Sequence, residues 1–402
     1  MTICTVCGAS KFGGEHAPNC DEVKLQWTEW TDELAAEQNG SGNTAANSLP
    51  TVSGKYYLTQ AVAFETAVDS TNSYKFAQNT QLYLDLNGQS VTAKSGTRLF
   101  GVTENGVDFV ITDSSVDGNG YIKGDGTANG GTIRMEGTTT STVTLFRGAI
   151  IGTKGASYGG SLYILNGGIF VMNGGAMVGG ETTSSGGNIT LENKGYFILN
   201  GGTISGGKTT GNSGKGGNVS IYGSSAAKES TFTINGGSVG GEVTVNGTTY
   251  SGGEAVYGGN IRVTSNGTLT INAGTVTGGT AVDKGSNVGR GGNLFMEGTG
   301  TVNLAGGTVD GDVYFSGSSV LNVSGKPVVN AQNKTNILVK TGKVITVGAL
   351  EDGAVIGVTL EDETAVFTGV VDEAVAQYFV SDNQNKTVVH TANGLALAAV
   401  AP

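Results

Sequence analysis

A repeated glycine-rich phrase constrains the fold of this chain more than any other feature. Its copies begin at residues 159, 186, 216, 258 and 291, so their spacing is 27, 30, 42 and 33 residues. The first copy begins with Gly-Gly-Ser and the other four with Gly-Gly-Asn. Repeats of this size indicate a solenoid, in which each structural unit stacks on the one before it. The uneven spacing is typical of a fixed unit that carries loops of different length.

Each copy contains three short segments with the periodicity of β-strands. In the copy that begins at residue 258, these are 260–264, 268–272 and 274–277, and the first two alternate apolar and polar side chains. Stacking such units as the coils of a parallel β-helix pairs every strand and buries one continuous apolar column. Parallel crossovers are overwhelmingly right-handed. We therefore predict an all-β chain that folds as a right-handed parallel β-helix.

Two asparagine positions recur in successive copies. The first holds Asn188, Asn218, Asn260 and Asn293, and the second holds Asn173, Asn200, Asn235 and Asn272. A buried amide at a turn can donate to and accept from its equivalent in the next coil. The pattern therefore predicts two structural ladders of asparagine side chains.

The composition bounds the class of protein and its partners. Of 402 residues, 70 are glycine and only 4 are proline, without the Gly-X-Y period of collagen. The net charge of −11 disfavours nucleic acid and anionic membranes as partners, because both require basic patches. No run reaches the roughly 18 apolar residues of a membrane span. The ends carry no signal peptide or sorting sequence, so we expect either a cytosolic protein or a segment of a longer exported one.

Three regions are predicted along the chain. Residues 1–49 form a small Cys/His module and a linker, residues 50–349 form the β-helix with its N-terminal cap, and residues 350–402 form a β-rich C-terminal cap. At about 27 residues per coil, residues 80–350 predict about ten coils. A short helix is expected at 372–379.

The N-terminal module holds all 3 cysteines and one of the 2 histidines of the chain. The pattern Cys-x2-Cys-x8-His-x3-Cys is that of a tetrahedral zinc site with Cys4, Cys7, His16 and Cys20 as ligands. Four protein ligands leave no open position, so the zinc would be structural. A disulfide and free thiols remain the alternatives. Trp27 and Trp30, which follow, are either a platform for a sugar or packing residues of the module.

Several segments of the chain resemble known surface proteins. The segments CTVCG (4–8), WTEWT (27–31), GKYYLT (54–59) and LYLDLNGQSVT (82–92) resemble the opening of very long surface proteins of gut Firmicutes. The coils resemble the β-helical middle of those proteins, and GAVIGVTLED (353–362) with YFVSDN (378–383) resembles the module that closes it. The coils are also similar to the repeats of chlamydial polymorphic membrane proteins, through the Phe-x-x-Asn pattern at Phe197 and Phe232. Both resemblances imply an extracellular, adhesin-like rod on a bacterial cell surface, with further domains in a longer chain.

The predicted function is adhesion or structural support, by binding a host or bacterial surface glycan or protein without turnover. Long insertions at 223–230, 246–257 and 280–290 project from neighbouring coils, where loops can build a shared site. Tyr250, Tyr257 and Arg290 are the candidate ligand-binding groups in these loops, since aromatic and guanidinium groups stack on sugars and partners.

Three other functions have weaker signals in the sequence than adhesion. A polysaccharide lyase or glycoside hydrolase would need a base or a carboxylate pair, and Asp310 with Asp312 is the best such pair. Ice or crystal binding would need a threonine column through all the coils. The residues 202–209 match a phosphate-binding P-loop, but the sequence that follows does not form the helix that such a loop requires.

The zinc hypothesis predicts about one equivalent of metal in protein that is prepared with zinc, because a segment this short folds around a metal rather than around its own core. Elemental analysis measures this metal, and Cys7→Ser is expected to lose it. An intact mass that shows a Cys–Cys bond, without metal, would decide for the disulfide.

Overall fold

The chain folds as a parallel β-helix, as the repeats predict. The computed structural model describes residues 27–329 and 336–400. Each strand pairs in parallel with the equivalent strand of the next coil, where a coil is one complete turn of the chain around the core. Three sheets therefore run along the stack, and antiparallel pairing between strands of this described part is confined to two hairpins.

Sheet 1 runs the whole length of the stack, with consecutive strands as neighbours. Ten of its twelve strands lie between residues 81 and 350, in agreement with the predicted number of coils. The strands are Thr28–Glu29, Gly54–Tyr57, Gln81–Asp85, Asp108–Thr112, Thr142–Leu145, Ile169–Met172, Tyr196–Leu199, Ser230–Ile234, Gly267–Ile271, Thr301–Leu304, Val320–Gly325 and Thr346–Leu350.

Sheets 2 and 3 form the other two faces. Sheet 2 comprises Asn72–Lys75, Arg98–Val102, Ile133–Glu136, Leu162–Leu165, Ile189–Glu192, Val219–Tyr222, Ile261–Val263, Leu294–Met296, Val313–Phe315 and Ile337–Val339. Sheet 3 comprises Val62–Ala63, Ser90–Thr92, Tyr121–Lys123, Ala149–Ile151, Ala176–Val178, Thr203–Ser205, Ser238–Val239, Thr275–Thr277, Thr308–Asp310 and Val328–Val329. The strand Val355–Leu360 pairs with both sheets and joins them near the C-terminal end.

A smaller side sheet lies between sheets 3 and 2 in five coils. Its strands are Lys154–Tyr158, Glu181–Ser185, Gly207–Thr209, Gly253–Ala255 and Gly279–Ala281. Part of the insertion in the long third copy forms the hairpin Val243–Val245 and Thr248–Tyr250.

The core is the apolar column that the period-two pattern predicts. Ile261, Val263, Leu269 and Ile271 are all fully buried. In sheet 1 the rings of Phe170, Phe197 and Phe232 are in contact through three coils. Phe170 stacks on Phe197 with centroids 5.1 Å apart, and Phe197 meets Phe232 edge-on at 5.2 Å. Each fully buried side chain of this kind stabilises the fold by about 1.5–3 kcal/mol, so the column supplies most of the driving force for stacking.

The N-terminal end of the stack differs from the predicted linker. The helix Asp32–Asn39 follows Trp30, and the hydroxyl of Thr31 caps it by accepting from the amide of Leu34 at 3.4 Å. Trp30 is buried, packs edge-on against Tyr56 and donates from its indole nitrogen to the carbonyl of Ser48 at 2.8 Å. Trp30 is therefore a packing residue that closes this end of the core.

At the C-terminal end, parallel pairing continues beyond residue 349. Val355–Leu360 adds a strand to the stack and Phe379–Ser381 pairs with it. A 3₁₀ helix at Glu373–Tyr378 occupies the place of the predicted short helix. The hairpin Lys386–Thr391 and Gly394–Ala399 then covers the end, where Phe367, Phe379 and Leu395 are buried.

The first asparagine ladder is buried and satisfied in both directions. The amide nitrogen of Asn188 donates to Asn218 at 2.8 Å, Asn218 donates to Asn260 at 2.7 Å, and Asn260 donates to Asn293 at 2.7 Å. Each also binds main-chain groups; Asn218, for example, accepts from the amide of Gly207 and donates to the carbonyl of Gly252. The ladder therefore supplies hydrogen bonds to main-chain groups at a corner where no regular sheet pairs them.

The second ladder forms as well, but not as a buried one. Asn200 donates to Asn173, Asn235 to Asn200 and Asn272 to Asn235, at 2.8–2.9 Å. Asn235 and Asn272 are exposed. The buried asparagines precede the strands of sheet 2, whereas the exposed ones follow the strands of sheet 1.

The difference in burial predicts a difference in stability. Asn218→Ala leaves several buried partners without a hydrogen bond, and each lost partner is expected to lower the free energy of unfolding by about 1–3 kcal/mol. Asn235→Ala removes the same group from an exposed ladder and is expected to change the free energy of unfolding by no more than about 0.5 kcal/mol. Denaturant unfolding of the two variants measures this difference. Equal losses would contradict the structural role of the buried ladder.

Candidate ligand-binding groove

The Gly-Gly pair of each copy makes a close corner between the side sheet and sheet 2. Its first glycine has a positive φ, +65° at Gly216 and +72° at Gly258. A β-carbon on Gly216 would lie 2.1 Å from the carbonyl oxygen of Val219. Only glycine allows this approach, so the residue before the pair lies beside the residue five positions later in the chain.

Two rows of side chains follow from this corner, and we call the space along them the groove. The outer row is formed by the residues that precede the Gly-Gly pairs and are in register from coil to coil: Tyr158, Ser185, Lys215, Tyr257 and Arg290. The inner row is formed by the middle residues of the sheet 2 strands: Arg134, Tyr163, Thr190, Ser220, Arg262, Phe295, Tyr314 and Leu338.

Aromatic rings support the C-terminal half of the groove. Tyr257 lies 5.1 Å from Phe295, which stacks on Tyr314 at 5.3 Å. The guanidinium of Arg290 lies 5.2 Å from the ring centre of Tyr314 and donates to its hydroxyl at 3.1 Å. Phe295 and Tyr314 are only 4% and 7% exposed, whereas Arg290 is exposed. The buried rings therefore hold the exposed cation in place.

A cavity of about 440 Å³ adjoins this half of the groove. Arg290, Asp312, Lys340 and Asp382 contribute its charged groups. Partial desolvation raises the pKa of Asp312, although its side chain remains exposed at the mouth. Asp382 accepts a hydrogen bond from Thr359 at 2.8 Å, and Lys340 pairs with Glu361.

The middle of the groove is a recess, because the rows there carry small side chains. We use "the recess" for this cavity of about 230 Å³. Ser185, Thr190 and Ser220 are its small and buried residues. Its larger side chains are Tyr158, Glu192, Lys215, Tyr222 and Arg262.

Most charges around the recess have partners. Tyr163 donates to Glu192 at 2.6 Å, and burial together with this carboxylate raises the pKa of Tyr163. Arg262 pairs with Glu297. Lys215 differs: burial, followed by the charge of Arg262, lowers its pKa, and the charge of Glu297 only partly opposes this effect.

The structure brings together two of the three predicted ligand residues. Tyr257 and Arg290 are bridge partners in adjacent coils of the outer row. Tyr250 lies elsewhere, because its hairpin folds back toward earlier coils and places the ring over Gly179 and Gly206. There it packs near Val178 and lines a separate cavity of about 520 Å³.

Lys215, Tyr222 and Arg262 were not identified from the sequence. The candidate residues predicted from the sequence came from long insertions, whereas these three residues lie within the regular coil. The signal was nevertheless present, since Lys215 stands immediately before a Gly-Gly pair, as Tyr257 and Arg290 do. Alignment of the copies on the Gly-Gly pair brings the residues of the outer row into one column and those of the inner row into another.

The structure also places the other sequence candidates. Lys208 and Thr209 of the P-loop match lie in the strand Gly207–Thr209, and Lys208 pairs with Glu254 at 2.7 Å. Asp310 closes a strand of sheet 3, whereas Asp312 precedes a strand of sheet 2.

A threonine column extends only through Thr231, Thr268 and Thr301 on sheet 1. Tyr196 precedes it and Val320 follows it in register. The column therefore covers three coils rather than all of them.

The predicted zinc ligands Cys4, Cys7, His16 and Cys20 lie outside the described residues. Within 27–329 and 336–400, no group of three or more His, Cys, Asp or Glu side chains could hold a metal ion. The same residues include no helix that is long and apolar enough to cross a membrane.

Comparisons of the chain with protein-family models, with curated proteins and with solved structures found no match. The groove is therefore interpreted from its own geometry.

The Gly-Gly corner can be tested with two glycines from adjacent copies. Gly258→Ala adds a β-carbon 2.3 Å from the carbonyl oxygen of Ile261, whereas Gly247, also at φ +72°, has nothing within 4 Å. Both variants bear the cost of a left-handed residue, about 1–2 kcal/mol. Only Gly258→Ala is expected to lose substantially more stability than this, and thermal unfolding measures the difference between the two variants. Equal melting temperatures would contradict the close corner.

Proposed function

We propose that this protein is a rod on a bacterial cell surface that binds an extended glycan along its groove without turnover, as an adhesin or a structural stalk. The observation that carries the proposal is the groove itself. It crosses successive coils and presents phenol, hydroxyl and cationic side chains in rows. Such groups stack on sugar rings and hydrogen-bond to sugar hydroxyls.

The repeat of the coils supports an extended ligand. Adjacent coils are about 4.8 Å apart, which is close to the length of one pyranose unit. A linear glycan that lies along the groove therefore meets equivalent positions at each successive unit. Many weak contacts in register give affinity without a deep pocket.

The surface location rests on the resemblance of the opening and closing segments to gut Firmicutes surface proteins. A low content of charged residues, 14%, and a surface rich in Thr, Ser and Asn are consistent with an exported rod. A protein partner is the alternative ligand.

A second candidate function is a glycoside hydrolase at the larger cavity. Asp312, whose pKa is raised, and Asp382 both line this cavity. A carboxyl group with a raised pKa can act as a general acid opposite a second carboxylate.

Tyr222→Ala tests glycan binding at the recess. Loss of a stacking contact worth about 1 kcal/mol predicts about a five-fold weaker affinity on a glycan array or a mucin surface. Tyr196→Ala is the matched control, since Tyr196 is an aromatic residue on sheet 1 that is 40% exposed. The control is expected to bind normally.

Two results would contradict the proposal. Equal affinity of both variants and the unchanged chain would remove the recess from the site. Release of oligosaccharides from a bound polysaccharide would replace binding without turnover by catalysis, and Asp312→Asn would then be examined first.

A further inference from the structure

Lys215 is a cation without a partner in the recess. Its side chain makes no ion pair or hydrogen bond with any residue of 27–329 or 336–400, although burial lowers its pKa. Glycines flank it, and its main chain is held by hydrogen bonds to Ser184 and Gly186. A partly desolvated charge without a direct partner is costly. Such a group is typical of a site that is completed by a ligand.

Other polar groups of the recess are also free. The hydroxyl of Ser220 makes no hydrogen bond within the described part of the chain, although the residue is only 2% exposed. The hydroxyls of Ser185, Tyr158 and Tyr222 likewise make no hydrogen bond within the described part of the chain. Buried polar groups are normally paired, and of these residues Ser185 and Ser220 are buried. Their two free hydroxyls, beside the ammonium of Lys215 and the half-buried Tyr158 and Tyr222, mark a site that suits a polar ligand.

The unpaired ammonium of Lys215 favours an anionic ligand. Lys215 and Arg262 line the recess, with Glu192 as the single carboxylate in its lining. Glu192 accepts from the neutral hydroxyl of Tyr163 and keeps its charge, whereas Arg262 pairs with Glu297. These four charges sum to zero, but neither carboxylate pairs with Lys215, so its ammonium is the group that an anionic ligand can neutralise.

We infer that the recess binds the carboxylate of an acidic sugar in a linear polyuronate, with Lys215 as the cation that recognises it. This inference rests on the proposed function, since it assigns the class of glycan that the groove holds. The ammonium of Lys215 pairs with the carboxylate, the hydroxyls of Ser185 and Ser220 bind sugar hydroxyls, and the rings of Tyr158 and Tyr222 flank the sugar. No bond is made or broken.

The register of the outer row supports a polymer rather than a single sugar. Lys215, Tyr257 and Arg290 occupy successive coils, so Arg290 lies two coils beyond Lys215. That separation is about 10 Å along the stack. A polyuronate in the groove would therefore bring a second carboxylate to the exposed guanidinium of Arg290.

Calorimetric titration of the whole 402-residue chain tests the inference. The probes are polygalacturonate and its fully methyl-esterified form, which has the same backbone without charge. The unchanged chain is expected to bind polygalacturonate at least ten-fold more tightly. Lys215→Met is expected to remove this preference and Lys215→Arg to retain part of it. Lys228→Met, at an exposed lysine of the next copy, is expected to leave the preference unchanged.

The melting temperature separates a binding role from a structural one. Because burial and Arg262 disfavour the charged form of Lys215 in the fold, Lys215→Met is expected to melt at the same temperature as the unchanged chain or higher. Loss of the preference together with a lower melting temperature would make Lys215 a structural residue and overturn the inference.

The remaining outcomes also discriminate. Equal binding of both probes in a Tyr222-dependent manner would overturn the acidic ligand but leave glycan binding standing. Tighter binding of a sulfated neutral backbone would replace the carboxylate by a sulfate. Absence of binding to any glycan would overturn both the inference and the proposed function. Formation of unsaturated uronate ends would show that the ligand is cleaved.

Discussion

The close approach of the main chain at the Gly-Gly corners is the constraint on which the rest of the structure depends. At Gly216 and Gly258 the carbonyl oxygen three residues later leaves no room for a β-carbon, and at Gly217 the carbonyl oxygen of Gly259 in the next coil does the same. The amides of Gly216 and Gly217 donate to the next coil. The buried asparagine that follows each pair binds main-chain groups at the neighbouring corner, where sheet 3 meets the side sheet, and continues the ladder; Asn218, for example, accepts from Gly207 and donates to Asn260. Glycine and asparagine thus act together at the corners of each coil: glycine allows the close approach, and asparagine supplies the hydrogen bonds.

The same corner determines where function can arise. It turns the chain so sharply that two rows of side chains face one space, and stacking repeats that space along the rod. In the C-terminal half the rows carry Tyr257, Arg290 and the buried rings beneath them, which fix the positions of exposed groups. In the middle the rows carry serine and threonine, and the resulting recess leaves Lys215 without a protein partner. A rod built for stability alone would have little reason to keep such a charge.

The architecture was predictable from the sequence because it depends on local periodicity. Alternation placed Ile261 and Leu269 in the core, and the copies fixed the pairing. The ends were harder, since the helix Asp32–Asn39 is short and packs through single contacts such as Trp30. The groove was not predicted as such, because side chains from separate coils meet there. The sequence predicted a site shared by projecting loops, and of its three residues Tyr257 and Arg290 lie in the groove, whereas the hairpin of Tyr250 folds the other way.

The most direct test of the account is the structure of the chain in complex with an oligogalacturonide. We expect a sugar chain that runs parallel to the stack, with one carboxylate within hydrogen-bond distance of Nζ of Lys215. A tyrosine ring is expected on each side of the sugar that carries this carboxylate. An oligosaccharide that lies across sheet 1, or one whose carboxylates face solvent while Lys215 stays unpaired, would contradict it.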